Sequence, residues 1–179
     1  MTAGDLQSKF DTLAGRVKDK QAELNEVNAE LSGIVSRLID ADSKTRPGLI
    51  ARRAELINLA GLLADEHAEL ARRRNTAELM IYELAFAAAQ DEALRLSGLA
   101  REARQKLNAA ADEHLHAINR EGRRAATPEA TRAIGEMEAN KARLKAESLI
   151  ANDAAHRAGL KRDEAEKELE EVRQRLGIT

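Results

Sequence analysis

Residues 78–90, ELMIYELAFAAAQ, decide how this chain is read. The chain is 34% charged, yet between Leu79 and Ala89 the only charged side chain is Glu83. A helix packed on one partner confines its apolar residues to one stripe, so a stretch apolar all round has to be covered from several sides. The run is too short for a membrane span, which needs about 20 apolar residues. The question is which segments of the chain lie against it.

On the N-terminal side the pattern is regular. Ala3, Leu6, Phe10, Leu13, Val17, Lys20, Leu24, Val27, Leu31, Ile34, Leu38 and Ala41 recur at alternating spacings of three and four. That is the a and d pattern of a coiled-coil seam, which keeps one stripe facing one partner helix. Leu13, Val17, Leu24, Leu31 and Leu38 are its central members. Only Lys20 interrupts, and a polar group in a seam commonly sets register. The segment IDADSKTRPGLI then breaks the period. Pro47 lacks the N–H that a helix interior needs but suits a first turn, and Arg46 before it is biased away from helix. Helix 1 is expected over about 4–42 and helix 2 from about 47, with a connection short enough to make them antiparallel neighbours.

Helix 2 opens with a wide stripe of Leu49, Ile50, Leu56, Ile57, Leu63, Ala64, Leu70 and Ala71. Further on the stripe moves to a second heptad frame: Leu79, Tyr82, Phe86, Ala89, Ala93, Leu96, Ala100, Ala103, Leu107, Ala110, His114 and Ala117. The next break is REGRRAATPEA, where Gly122 suits the residue past a helix end and Thr127-Pro128-Glu129 reads as cap, first-turn proline and first-turn acid. Helix 2 is thus expected over about 47–122 and helix 3 over about 128–176. Ser97-Gly98 offers a competing break and a four-helix bundle, but a glycine costs a helix only about 1 kcal/mol, too little to end one packed on both sides. The seam of helix 3 includes Ile134, Met137, Leu144, Ala151, Ala155, Ala158, Leu169, Val172 and Leu176. It is weaker, with Lys141, Ser148 and Arg162 in the same frame.

These turns answer the opening question. Folding helix 1 back about residue 44 sets Phe10 beside Leu79, and folding helix 3 back about residue 125 sets Val172 near Glu78. The expected fold is all-α: one unit over residues 1–179, with three long helices in an elongated, Z-like antiparallel coiled coil. Its central helix of about 75 residues makes a rod on the order of 110 Å long. The frame shift marks where one partner hands over to the other, and Phe10, Leu79, Tyr82, Phe86 and Val172 form a three-helix junction.

Composition narrows the function. A chain rich in Ala, Glu, Lys, Leu and Arg, with one Tyr, two Phe and no Trp, belongs to the coiled-coil class. The net charge of −2 is evenly spread, so no face advertises nucleic acid or an anionic membrane. The basic clusters Arg72-Arg73-Arg74 and Arg123-Arg124 lie among acids and have no interleaved aromatics for base stacking. The absence of cysteine excludes thiol chemistry and fits a reducing compartment. No basic segment followed by an apolar run opens the chain, so a signal peptide is not expected. A cytoplasmic protein or a virion component fits these features. No phosphate-cradling glycine loop or nucleophile turn occurs. Glu113 with His116, and Asp153 with His156, have the spacing of bundle metal sites, but both pairs fall off the seams, where a metal could not be enclosed. No enzyme, metal or cofactor is expected.

Two function classes remain. One is a structural or assembly component, for example of a virion or secretion apparatus, whose partners are other proteins or further copies of itself. The other is a soluble adaptor, chaperone or inhibitor that receives a partner helix on the alanine-rich groove around Ala151, Ala155 and Ala158.

Overall fold

The computed structural model describes residues 2–121 and 127–178, and over these the chain is all-α. Its three long helices are α1 (Ala3–Asp40), α2 (Arg46–Glu121) and α3 (Pro128–Leu176). α2 runs unbroken through Gly98, where the packing of its flanking turns outweighs the weak helix propensity of glycine.

Each described helix end has a chemical reason. Thr2 caps α1 reciprocally with Asp5: the Thr2 hydroxyl accepts from the Asp5 amide at 3.2 Å, and the Asp5 carboxylate accepts from the Thr2 amide at 2.8 Å. After Asp40 the backbone turns extended at Ala41. Asp42 then gathers the amides of Lys44 and Thr45 and the Thr45 hydroxyl, at 3.0, 2.8 and 2.7 Å. α2 starts one residue before the expected Pro47. The Arg46 amide finds the Asp42 carbonyl at 3.1 Å and its guanidinium donates to the Ala41 carbonyl, which offsets the bias of a residue preceding proline. The Thr127 hydroxyl accepts from the Ala130 amide at 3.2 Å and caps α3, while Gly122 lies outside the described residues. α3 ends on Gly177 at φ 68°, with Ile178 N–H donating to the Arg173 carbonyl at 2.9 Å and Gly177 N–H to that of Gln174 at 3.1 Å. This is a left-handed glycine closure that satisfies the last carbonyls.

The chain divides into two compact units. The first comprises Met1–Glu83 and Val172–Thr179, the second Leu84–Glu171. In the first, α1 runs antiparallel to α2, so that Glu30 pairs with Arg52 and Lys20 with Glu66, both at 3.0 Å. Leu6, Leu13 and Ile34 of α1 and Leu56, Leu63, Leu70 and Ala77 of α2 are buried, and Val17, Leu24, Leu31 and Leu38 are half-buried. Leu13, Leu70 and Ala77 form a cluster on which Phe10 and Val17 pack. The last turn of α3 also belongs to this unit. Val172 is buried, Arg173 reaches Glu83 at 3.4 Å and Arg175 pairs with Glu78.

In the second unit α2 and α3 are antiparallel. His114 of α2 meets Lys141 of α3, and Glu92 lies within electrostatic reach of Lys161. The buried residues are mostly small: Ala93, Ala100 and Ala110 on α2, Ser148 and Ala158 on α3, with His114 and Leu169 the large exceptions. Small side chains let two helices approach closely but bury little area each, so this seam is thin.

The apolar run at 78–90 is enclosed less than its composition predicts. Leu79, Ile81, Tyr82 and Phe86 are half-buried, but Met80, Leu84, Ala85, Ala87 and Ala88 stay exposed. The zone where α2 is covered on two stripes lies about two turns earlier. There Leu70, Arg74 and Ala77 of the first frame stand beside Ala71, Asn75, Glu78, Leu79 and Tyr82, all shielded at least in part. Alanine methyls cost little in water, so the later part of the run tolerates exposure.

Candidate functional site

The seam of the first unit has two unlike flanks. One is charged: Lys9, Arg16, Glu23 and Glu30 of α1 face Arg52, Glu66 and Arg73 of α2. Two clefts run along it, of about 610 Å³ beside Leu6, Leu13, Ala77 and Met80, and about 670 Å³ beside Asp19, Lys20, Asp65 and Glu69. Its charges largely answer one another. Lys20, at a seam position, sends its ammonium outward to Glu23 at 2.8 Å and Glu66 at 3.0 Å. The hydrogen bond it donates to Glu23, then that to Glu66, holds the Lys20 pKa above its ordinary value. Arg72 and Arg73 both pair with Glu69, whose carboxyl is held low chiefly by its hydrogen bond to Arg73.

The other flank is lined mostly by uncharged residues, with exposed Arg53 beside Ile50 and Ile57. On α2 it consists of Ile50, Ile57, Ala64 and Ala71, each one residue after a seam position, and on α1 of Ala14, Gln21, Asn28 and Val35. Ile50 is 55% exposed, Ile57 50% and Val35 48%. The wide stripe of the sequence thus separates into two. Leu49, Leu56, Leu63 and Leu70 turn inward, while Ile50, Ile57 and Ala64 face outward. The width of that stripe was the signal for an extra face, because a single two-helix seam needs only the narrower set.

The structure also places the other sequence candidates. Of the junction residues, Val172 is buried, while Phe10, Leu79 and Tyr82 are half-buried in the first unit and Phe86 in the second. Of the proposed partner groove, Ala158 is buried and lines a cleft of about 320 Å³ with Ala89, Glu92 and Leu96 of α2, and Ala151 and Ala155 are half-buried. That face of α3 is turned to α2 of the same chain. Glu113 and His116 are exposed beside Met137, and Asp153 is taken by Arg157 in an ion pair at 2.5 Å. Among the described residues no three metal-ligating side chains converge. Arg74 hydrogen-bonds Asn75 and is half-buried, and Arg123 and Arg124 lie outside the described residues. Among the described residues no helix is long and apolar enough to cross a membrane.

His114 is the one candidate with unusual surroundings. It is 8% exposed in a seam of alanines, its Nδ1 lies 3.4 Å from the Lys141 ammonium, and its Nε2 is buried with no hydrogen-bond partner among the described residues. Lys141 has only protons to give, so Nδ1 accepts and the ring proton falls on the unpartnered Nε2. This arrangement is costly for stability and encloses the ring too tightly to reach a ligand.

No protein-family model, curated protein or solved structure matches the chain.

Proposed function

We propose that the chain is a non-enzymatic structural or assembly component whose helices serve as contact surfaces for other protein subunits. The observation that carries this reading is the contrast between its thin seams and the large apolar side chains left outside them. Leu62, Leu94, Leu149 and Ile150 are each more than 60% exposed, on helices whose seams bury mainly leucine and alanine. Where such residues adjoin, as Leu149 and Ile150 do, exposed apolar surface supports contact with another protein. The clefts lie in shallow grooves between side chains already engaged with one another, a setting that supports contact rather than chemistry. A virion or a secretion apparatus is a setting in which such a component fits.

Fractionation of an extract of the native source by size, with quantification of this chain in each fraction, tests the proposal. A structural component appears in a large assembly at a fixed number of copies. A chain found only in a small one-to-one complex would favour the adaptor reading, and a chain found alone would overturn both.

A further inference from the structure

The mostly uncharged flank of the first unit is not vacant along its whole length. At its far end sits the last turn of α3, held by Val172 and by the pair of Arg175 with Glu78. Glu78 continues the series Ile50, Ile57, Ala64, Ala71 at seven-residue intervals. Ala14, Ala71 and Asn75 beside that seat are half-buried, whereas from Ala68 back to Ile50 every residue of the α2 stripe is exposed. A groove that accepts a third helix at one end therefore runs on, uncovered and uncharged but for Arg53, toward the α1–α2 turn. Over residues 50–71 it is about 30 Å long at 1.5 Å per residue.

We infer that a second copy of this chain occupies the open part of the groove, stripe against stripe, about a two-fold axis close to Gly61. The stripe is self-complementary in size. It reads Ile50, Ala54, Ile57, Gly61, Ala64, Ala68 and Ala71, large at one end, small at the other, with glycine between. An antiparallel copy sets Ile50 and Ile57 of each chain against the alanines at 64, 68 and 71 of the other, and the two Gly61 residues meet at the axis. A two-fold interface requires one patch to complement itself in this way. A Cβ built on Gly61 meets nothing within 4 Å, so the glycine is not there to relieve crowding within the chain. The rim is electrostatically compatible as well. The next residues outward are Ala51, Asn58, Asp65 and Arg72, and the same axis places Asp65 near Asn58 and Arg72 near Ala51, with no like charges opposed. On the opposite flank, most of the charged residues already pair within the chain. The inference rests on the proposed structural role in that it names the partner such a role needs.

The chain has no cysteine, so Gly61→Cys gives a single reporter at the axis. Under mild oxidation the purified variant should form a covalent dimer, while Gly33→Cys, also open but on the outer side of α1, should not. In sedimentation equilibrium the unmodified chain should be dimeric. Gly61→Glu, which sets two carboxylates against each other, and Ile57→Glu should each weaken the dimer by about 100-fold or more, the scale of a central contact. Unchanged helicity of both variants would show that the monomer fold survives. A chain monomeric at all concentrations, a dimer indifferent to both variants, or equal cross-linking at positions 33 and 61 would overturn the inference. None of these outcomes bears on the fractionation experiment, whose large assembly could still form through other faces.

Discussion

A seam residue is worth what its surroundings allow, and His114 and Asp42 show both directions. His114 buries an N–H that no acceptor among the described residues receives, and such a group costs about 1–3 kcal/mol. His114→Leu is therefore expected to stabilise the second unit by about that amount, seen as a higher urea midpoint with an unchanged slope. A lower midpoint would mean that the contact with Lys141 outweighs the orphaned N–H. Asp42 is the opposite case. The Thr45 amide first, then its hydroxyl, hold the Asp42 carboxyl below its ordinary value of 3.8. A group whose pKa is depressed by folding adds stability above its unfolded pKa and loses it as pH falls through the folded value. Thermal stability should thus decline below about pH 4, and Asp42→Asn should reduce that decline while lowering stability at pH 7. An identical acid profile in the variant would remove Asp42 from the account. His114 was legible as a seam member, but its missing partner was not, because which atom lies opposite depends on the register of α3.

At the scale of the helix, spacing separated inward from outward residues, yet it could not rank them. Leu24 and Leu31 look like the heart of the α1 seam, but both are half-buried, and the side chains closed off completely are Leu6, Ile34 and Leu56. A two-helix seam leaves most of its members open to water on one flank, and full burial needs a close neighbour on each side. Ile34→Ala or Leu56→Ala should cost about 2–5 kcal/mol, with Leu31→Ala clearly less. Equal losses in chemical denaturation would mean that the burial pattern along α1 is wrong. The helix ends were legible to within two residues, since Thr2, Asp42, Thr127 and Gly177 each carry a local signal. Gly98 was ambiguous by its nature, because continuity there depends on packing that no local signal reports.

For the molecule as a whole, composition and heptad frames were enough to give an all-α chain of three long helices, each frame with its own antiparallel partner. The second frame reads true from Leu79 to Ala117, every member at least partly shielded. What the sequence concealed is how much apolar surface stays outside the seams. The run at 78–90 invited full enclosure, whereas Met80 and Leu84 remain open, and the broad stripe from Leu49 to Ala71 looked like one face where there are two. A count of apolar residues gives the amount of sticky surface but not the order in which neighbours cover it.

Along its length α2 changes partner, with α1 on the first frame and α3 on the second. Dipolar EPR on two doubly labelled variants tests this directly, with each diluted in unlabelled protein to suppress signals between copies. The pairs are Lys20→Cys with Glu66→Cys, and Glu92→Cys with Lys161→Cys. Both should report adjacent helices, whose axes lie about 8–10 Å apart. A long distance for either pair would contradict the handover from α1 to α3.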